Sequence, residues 1–249
     1  MSPAERGSVL LFLAGFFGGL GALFLMLCFG MDYWLLASET CGPGGSLGAY
    51  SRGETEDQDN VSFFHQGFFW RCSFLGRREE DTVWAFWIPH QPNPKVCVPA
   101  YLFSLPASEP TMEQMSPDSA VYKAFWSLFL VVGWFTVMIG GFLVICASPF
   151  AKGGVYKAGG VLLLTGSLCL LVVIGMYVVW TQVLDSMENY ATHQHLSSSC
   201  PAVYQLNVHN GPSFMLAPVS IFFLLLAALL FLMIGRTAQS QRRGQAEEV

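Results

Sequence analysis

Seven cysteines, five histidines, a single N-x-S/T sequon and an acidic carboxyl terminus carry most of the chemistry available to this 249-residue chain. Cys41, Cys72, Cys97 and Cys200 stand among polar residues, where thiols could oxidise in pairs. Cys28, Cys146 and Cys169 stand in apolar runs. Asn60-Val61-Ser62 could accept a glycan if it faces an exported compartment. Cys146, beside Ser148-Pro149-Phe150, is positioned for palmitoylation at a membrane edge. Glu247-Glu248-Val249 could add as a strand to a PDZ groove. Zinc chemistry is a poor fit, because His193 and His195 form an isolated pair and no CxxC occurs. His65, His90, His193, His195 and His209 are all expected as solvated or sheet-edge loop residues. No GxSxG, HExxH or phosphate-binding glycine loop is present, so an enzyme is not expected.

One constellation needs a folded setting. Trp34, then Gly67-Phe68-Phe69-Trp70-Arg71-Cys72, then Cys97 place aromatics and two cysteines in an otherwise acidic stretch. A mere connector would not require them.

Four apolar blocks must position these groups. Val9 to Phe29, Phe125 to Ala147, Ala158 to Val179 and Phe214 to Ile234 contain no Asp, Glu, Lys, Arg or His. At about 1.5 Å rise per residue, 21 residues cover roughly 32 Å, enough for a hydrocarbon core of about 30 Å. With 53% apolar and 12% charged residues, the chain reads as a four-span membrane protein. The first block is expected to be retained as a helix. It is longer than a signal-peptide core and ends Leu27-Cys28-Phe29-Gly30 without a cleavage pattern. Its Gly15 and Gly19, like Gly140-Gly141 and Gly159-Gly160, suit close helix packing.

Charge sets the orientation. The N-terminal stub, the connector 148–157 and the tail after 234 hold six basic residues against three acidic ones, a net +3. Residues 30–124 and 180–213 hold 14 acidic and six basic residues, a net −8. Basic residues favour the cytosolic side. The expected organisation is a cytosolic stub 1–8, spans 9–29, 125–147, 158–179 and 214–234, outer loops 30–124 and 180–213, a cytosolic connector 148–157 and a cytosolic tail 235–249. The absence of ionisable residues within the spans argues against a pump, coupled transporter or voltage sensor.

Under that topology an even number of cysteines lies outside, in an oxidising compartment. Four permit three pairings. Cys72 with Cys97 and Cys41 with Cys200 is favoured, and the spacing alone does not fix it. Residues 42–59 are glycine-rich and then acidic, with no core of their own. The stretches 61–74, 82–88 and 95–103 read as three or four short antiparallel strands. Trp180, Val183, Leu184 and Met187 keep helical spacing beyond the third span.

The cassette and topology resemble the claudin superfamily, which includes the peripheral myelin and epithelial membrane proteins and the calcium-channel gamma subunits. Its signature is a Trp, then Gly-Leu-Trp-x-x-Cys, then a second Cys. Trp34, Gly67, Cys72 and Cys97 match that signature. Phe69 stands at the second Trp position, with Trp70 one place later, and the interval from Cys72 to Cys97 is longer than in claudins proper. The likeness is closest to a tetraspan of muscle and fat within the superfamily. It rests on Asp32-Tyr33-Trp34-Leu35-Leu36-Ala37, Asp118-Ser119-Ala120-Val121-Tyr122, Ile145-Cys146-Ala147, Pro149-Phe150-Ala151, Tyr156-Lys157-Ala158-Gly159-Gly160, Leu216-Ala217-Pro218 and Ile221-Phe222-Phe223.

The resemblance implies an all-α membrane protein with a small β ectodomain. A left-handed four-helix bundle would be capped by an antiparallel extracellular sheet, most strands from the first loop and one from the second. It also implies a plasma-membrane regulator of muscle-cell differentiation acting through an integrin β subunit. An auxiliary subunit of an ion channel and a junctional or paracellular component are the alternatives.

Overall fold

Backbone amides cannot be left without partners in hydrocarbon, so charge-free runs of membrane length must be helical. The computed structural model describes residues 3–41, 60–77, 95–99, 117–147, 153–194 and 204–247. Its four long helices are α1 (Pro3–Gly30), α2 (Pro117–Ala147), α3 (Gly153–Gln194) and α4 (Pro212–Glu247), and each contains one apolar block. Membrane-length apolar stretches cover Glu5–Gly30, Ala124–Ala147, Gly153–Gln182 and Pro212–Ser240. The helices outrun the blocks. α3 continues to Gln194 and α4 to Glu247, so parts of the expected connector, second outer loop and tail are helical. No Gly or Pro interrupts 176–194, and nothing there stops a helix already nucleated by the apolar run.

The chain divides into two units. The first comprises residues 1–28, 116–177 and 215–249 and holds the helical packing. Trp126, Leu170, Tyr177 and Leu224 are fully buried in it. On α1 the packed stripe is Ala14, Gly21, Leu25 and Cys28, with a spacing of three to four residues for the last three. A Cβ at Gly21 would lie 2.8 Å from Leu224 Cγ of α4. Ser220 Oγ donates to Gly21 O at 2.9 Å, and Phe17 stacks on Phe223 at 5.8 Å. Gly15 and Gly19, expected to pack, have nothing within 4 Å of a Cβ built on either. Gly18 and Gly21 face α4 instead; either pair is compatible with helical spacing, so sequence could not choose between them.

α2 and α3 approach through Gly133 and Gly140 on one helix and Gly159 and Gly166 on the other. A Cβ at Gly166 would sit 2.6 Å from Thr136 Oγ1 and 2.9 Å from Gly133 O, whereas one at Gly141 would meet nothing. Small residues at such crossings let two backbones touch. Gly166→Ala is therefore expected to destabilise the protein by about 1–3 kcal/mol, because backbone must move. Gly141→Ala is expected to leave stability unchanged or raise it by about 0.5–1 kcal/mol through helix propensity. Thermal melts of the detergent-solubilised variants check the contrast.

The second unit comprises residues 29–115 and 178–214 and holds the sheet. Its strands are β1 (Leu35–Cys41), β2 (Asn60–Gln66), β3 (Trp70–Arg77), β4 (Val96–Pro99) and β5 (Tyr204–Asn210). All pair antiparallel in the order β4-β3-β2-β1-β5. The aromatic run 61–74 thus splits into two strands around a turn at 67–69. Residues 82–88, also expected as a strand, lie outside the described residues.

The registers align Leu36 with His65 and His65 with Cys72, and they align Phe63 with Phe74. Because strand side chains alternate, these residues share one face. Leu35, Ala37, Phe64, Gln66 and Arg71 share the other. Leu35, Leu36, Ala37, Phe64, His65 and Gln66 are all buried, so both faces are covered at the centre.

Candidate functional site

Three residues that lead from α1 into β1 tie the ends of the strands together. Trp34 N donates to Gln66 O at 3.1 Å, and Gly211 N donates to Trp34 O at 2.8 Å. Ser213 N donates to Tyr33 O at 3.1 Å. His65 Nδ1 lies 2.8 Å from Asp32 O, which can only accept, so the ring's proton sits on Nδ1. Tyr33 stacks on the His65 ring at 4.4 Å.

Two glycines make this meeting possible. A Cβ at Gly67 would lie 2.6 Å from Asp32 Cα, and one at Gly211 would collide with the Tyr33 carbonyl. The cassette's glycine is thus required by the approach of another main chain. Gly67→Ala is expected to reduce surface delivery of the protein severalfold, since the nearest obstructing atom is the Asp32 Cα and the turn must shift. Surface biotinylation against total protein measures it.

Trp34 is 0% exposed. Its ring lies 4.6 Å from Phe68, edge to face, 5.1 Å from Phe29 and 6.1 Å from Phe214. Phe29 and Phe68 also meet at 5.1 Å. Gly67 N donates to Trp70 O at 2.9 Å, closing the turn so that Phe68 points in while Phe69 and Trp70 point out. The Arg71 guanidinium stands 4.0 Å above the Phe64 ring, a cation–π contact. Cys72 and Cys97 are paired in register across β3 and β4 and form a disulfide.

His65 departs from expectation. Expected as a solvated or sheet-edge residue, it is buried on the central strand β2. Tyr33 stacks on its ring, and Leu36, Phe63 and Phe74 line the same face of the sheet. Burial pushes its pKa down; the bond to the Asp32 carbonyl opposes this, and the charge of Lys95 adds to it. The folded protein therefore binds this proton less readily than the unfolded chain does. Its contribution is complete above the ordinary histidine value of 6.5 and is lost as pH falls below it toward the depressed value. Burial raises the Asp32 carboxyl, partly offset by Lys95. That group acts with the opposite sign. Between pH 7 and 5 the unfolding midpoint is expected to fall, and His65→Gln is expected to flatten the fall; melts across that range test it.

The fold brings together Trp34, Gly67, Phe68, Phe69, Trp70, Arg71, Cys72 and Cys97. Asp32, His65, Gly211, Phe29 and Phe214 join them without having been singled out as site residues. Cys41 ends β1 opposite Tyr204, but its side chain and Cys200 lie outside the described residues. Asn60 opens β2 opposite Arg77, with its side chain likewise outside. Cys146 is exposed near the end of α2. His193 lies in α3 and Glu247 ends α4, whereas His90, His195, Glu248, Val249 and the insert 42–59 fall outside the described residues.

A tryptophan sealed by aromatics, a glycine turn against the α1–β1 junction and a disulfide between neighbouring strands form a structural constellation. Residues 19–233 match the family described as PMP-22/EMP/MP20/Claudin tight junction. The chain belongs to this family. Among its claudin-family relatives are proteins named Transmembrane protein 182. The one from Danio rerio is 44% identical over 241 residues, covering 92% of this chain and 96% of that protein. The Homo sapiens protein is 40% identical over 233 residues, with the same coverage. The Mus musculus protein is 38% identical over 237 residues, covering 94% and 98%. The family match spans the whole cassette, from Trp34 to Cys97.

Proposed function

We propose that this claudin-family tetraspan is a non-enzymatic plasma-membrane protein, with both termini cytosolic, that binds an integrin β subunit laterally and restrains muscle-cell differentiation. The observation that carries the reading is the likeness to Transmembrane protein 182 across nearly the whole of both chains. The charge-free spans support it too, since they offer no ion path, and the net −8 of residues 30–124 and 180–213 supports the orientation.

A glycan on Asn60, a palmitoyl group on Cys146, a second bridge between Cys41 and Cys200 and a PDZ partner at Glu247-Glu248-Val249 belong to the same reading. The exposure of Cys146 leaves its thiol accessible to an acyltransferase.

The test is co-purification of the endogenous protein from differentiating muscle-cell membranes in mild detergent. Recovery of an integrin β subunit, with earlier myotube fusion when the protein is depleted, is the expected outcome. Recovery without any integrin overturns it. The family's description favours a second reading, a junctional component, for which the acidic outer charge would select ions. Strands between cells lacking endogenous claudins, formed on expression of this chain, would favour that reading instead.

A further inference from the structure

We propose that Phe69 and Trp70 form a membrane-interface anchor that seats the Gly67–Trp70 turn among lipid headgroups. Phe29 belongs to the last turn of the first membrane-length stretch, Glu5–Gly30, and its ring lies 5.1 Å from Phe68. Phe214 belongs to the first turn of the fourth, Pro212–Ser240, and its ring lies 6.1 Å from Trp34, itself 4.6 Å from Phe68. Phe68 thus packs directly on a residue that ends one apolar stretch and, through Trp34, on a residue that begins another. At about 1.5 Å per helical residue, Phe29 is less than one turn from the end of its helix.

The side chains that follow Phe68 turn outward. Phe69 is 51% and Trp70 46% exposed. Across from Trp70 on β4 the register sets Pro99, an apolar and exposed residue on the same face, while exposed Val98 stands across from Arg71 on the other face. Adjacent exposed aromatics backed by an apolar strand are poorly suited to water. Tyrosine and tryptophan collect at bilayer interfaces, where the ring meets acyl chains and the polar edge stays hydrated. The Arg71 guanidinium, held over Phe64, adds a cation whose charge suits headgroup phosphates. The shift of the cassette tryptophan to position 70 thus places an indole on the lipid side of the turn. The occupant of this surface is the bilayer. This rests on the spans being membrane spans and is independent of the integrin reading.

The test uses the full-length protein labelled with 5-fluorotryptophan and reconstituted into phosphatidylcholine nanodiscs. The chain has seven tryptophans, and the fluorine resonance of Trp70 is assigned as the one missing from Trp70→Phe. Adding phosphatidylcholine spin-labelled on its headgroup is expected to abolish the Trp70 resonance and to weaken that of buried Trp34 less. Survival of the Trp70 signal in spin-labelled lipid overturns the proposal. If a water-soluble gadolinium chelate then removes it, the site is aqueous; if nothing does, protein covers it. Because no partner is present, failure here leaves the adhesion reading untouched, and loss of integrin binding leaves this one untouched.

Discussion

Trp34→Ala is expected to destabilise the protein by about 3–5 kcal/mol and to abolish its delivery to the cell surface. The indole is 0% exposed and lies against Phe29, Phe68 and Phe214. Truncation would open a cavity between rings that cannot follow the retreating side chain. Phe29 and Phe214 belong to helices, and Phe68 is fixed by the turn that Gly67 and Trp70 close. Edge-to-face and tilted ring contacts of about 0.5–1.5 kcal/mol each would be lost as well, and they form part of the same total. Against a domain stability of about 5–15 kcal/mol, the loss is a large fraction. Trp34→Phe, which keeps a ring in place, is expected to fall midway. Melting of the solubilised variants and the surface fraction of tagged copies report the effect; unchanged melting of Trp34→Ala would show that the aromatic cluster contributes little.

The second large effect is expected from exchanging Cys72 and Cys97 together for serine. β4 has four residues, all exposed, and among the described residues it pairs with β3 alone. A strand so short, at the edge of a sheet, has few hydrogen bonds to hold it. The disulfide closes an interval of 25 residues. On chain-entropy grounds, loss of such a bridge costs about 3.5 kcal/mol. Fraying of β4 would also uncover the edge of β3, inviting pairing with other chains. The double variant is expected to be retained inside the cell, and each single variant to fare worse because it leaves a free thiol able to pair with another chain. Normal surface delivery of the double variant would show that the sheet stands without its bridge.

Much of this was legible because the membrane imposes simple rules. Runs without a charge had to be helices, and the aromatic run with Cys72 and Cys97 announced strands and a staple. Other elements were hidden by their context. Leu35-Leu36-Ala37 follows closely on an apolar span, so β1 merges with its shoulder. Tyr204, Leu206 and Val208 alternate with Gln205, Asn207 and His209, a period-two signal of β5 that a short polar neighbourhood obscured. His65 was misplaced because a lone histidine in a loop gives no sign of a central strand, although apolar residues on both faces of β2 were there to be read. Gly67 was visible in the cassette, but its reason was not: the atom that forbids a side chain belongs to Asp32, far away in sequence.

The order of the strands has a consequence for biosynthesis. β1 is among the first segments to emerge, yet one of its two neighbours, β5, lies just before α4, with Leu35 aligned to Asn210. At about 5–20 residues per second, one edge of β1 waits on the order of ten seconds or longer for its mate. During that interval two more helices, α2 and α3, are made while the sheet remains incomplete and its backbone edge is open. A message truncated within the second loop would therefore yield a chain with most of its spans and a permanently unfinished sheet, a natural substrate for quality control in the secretory pathway.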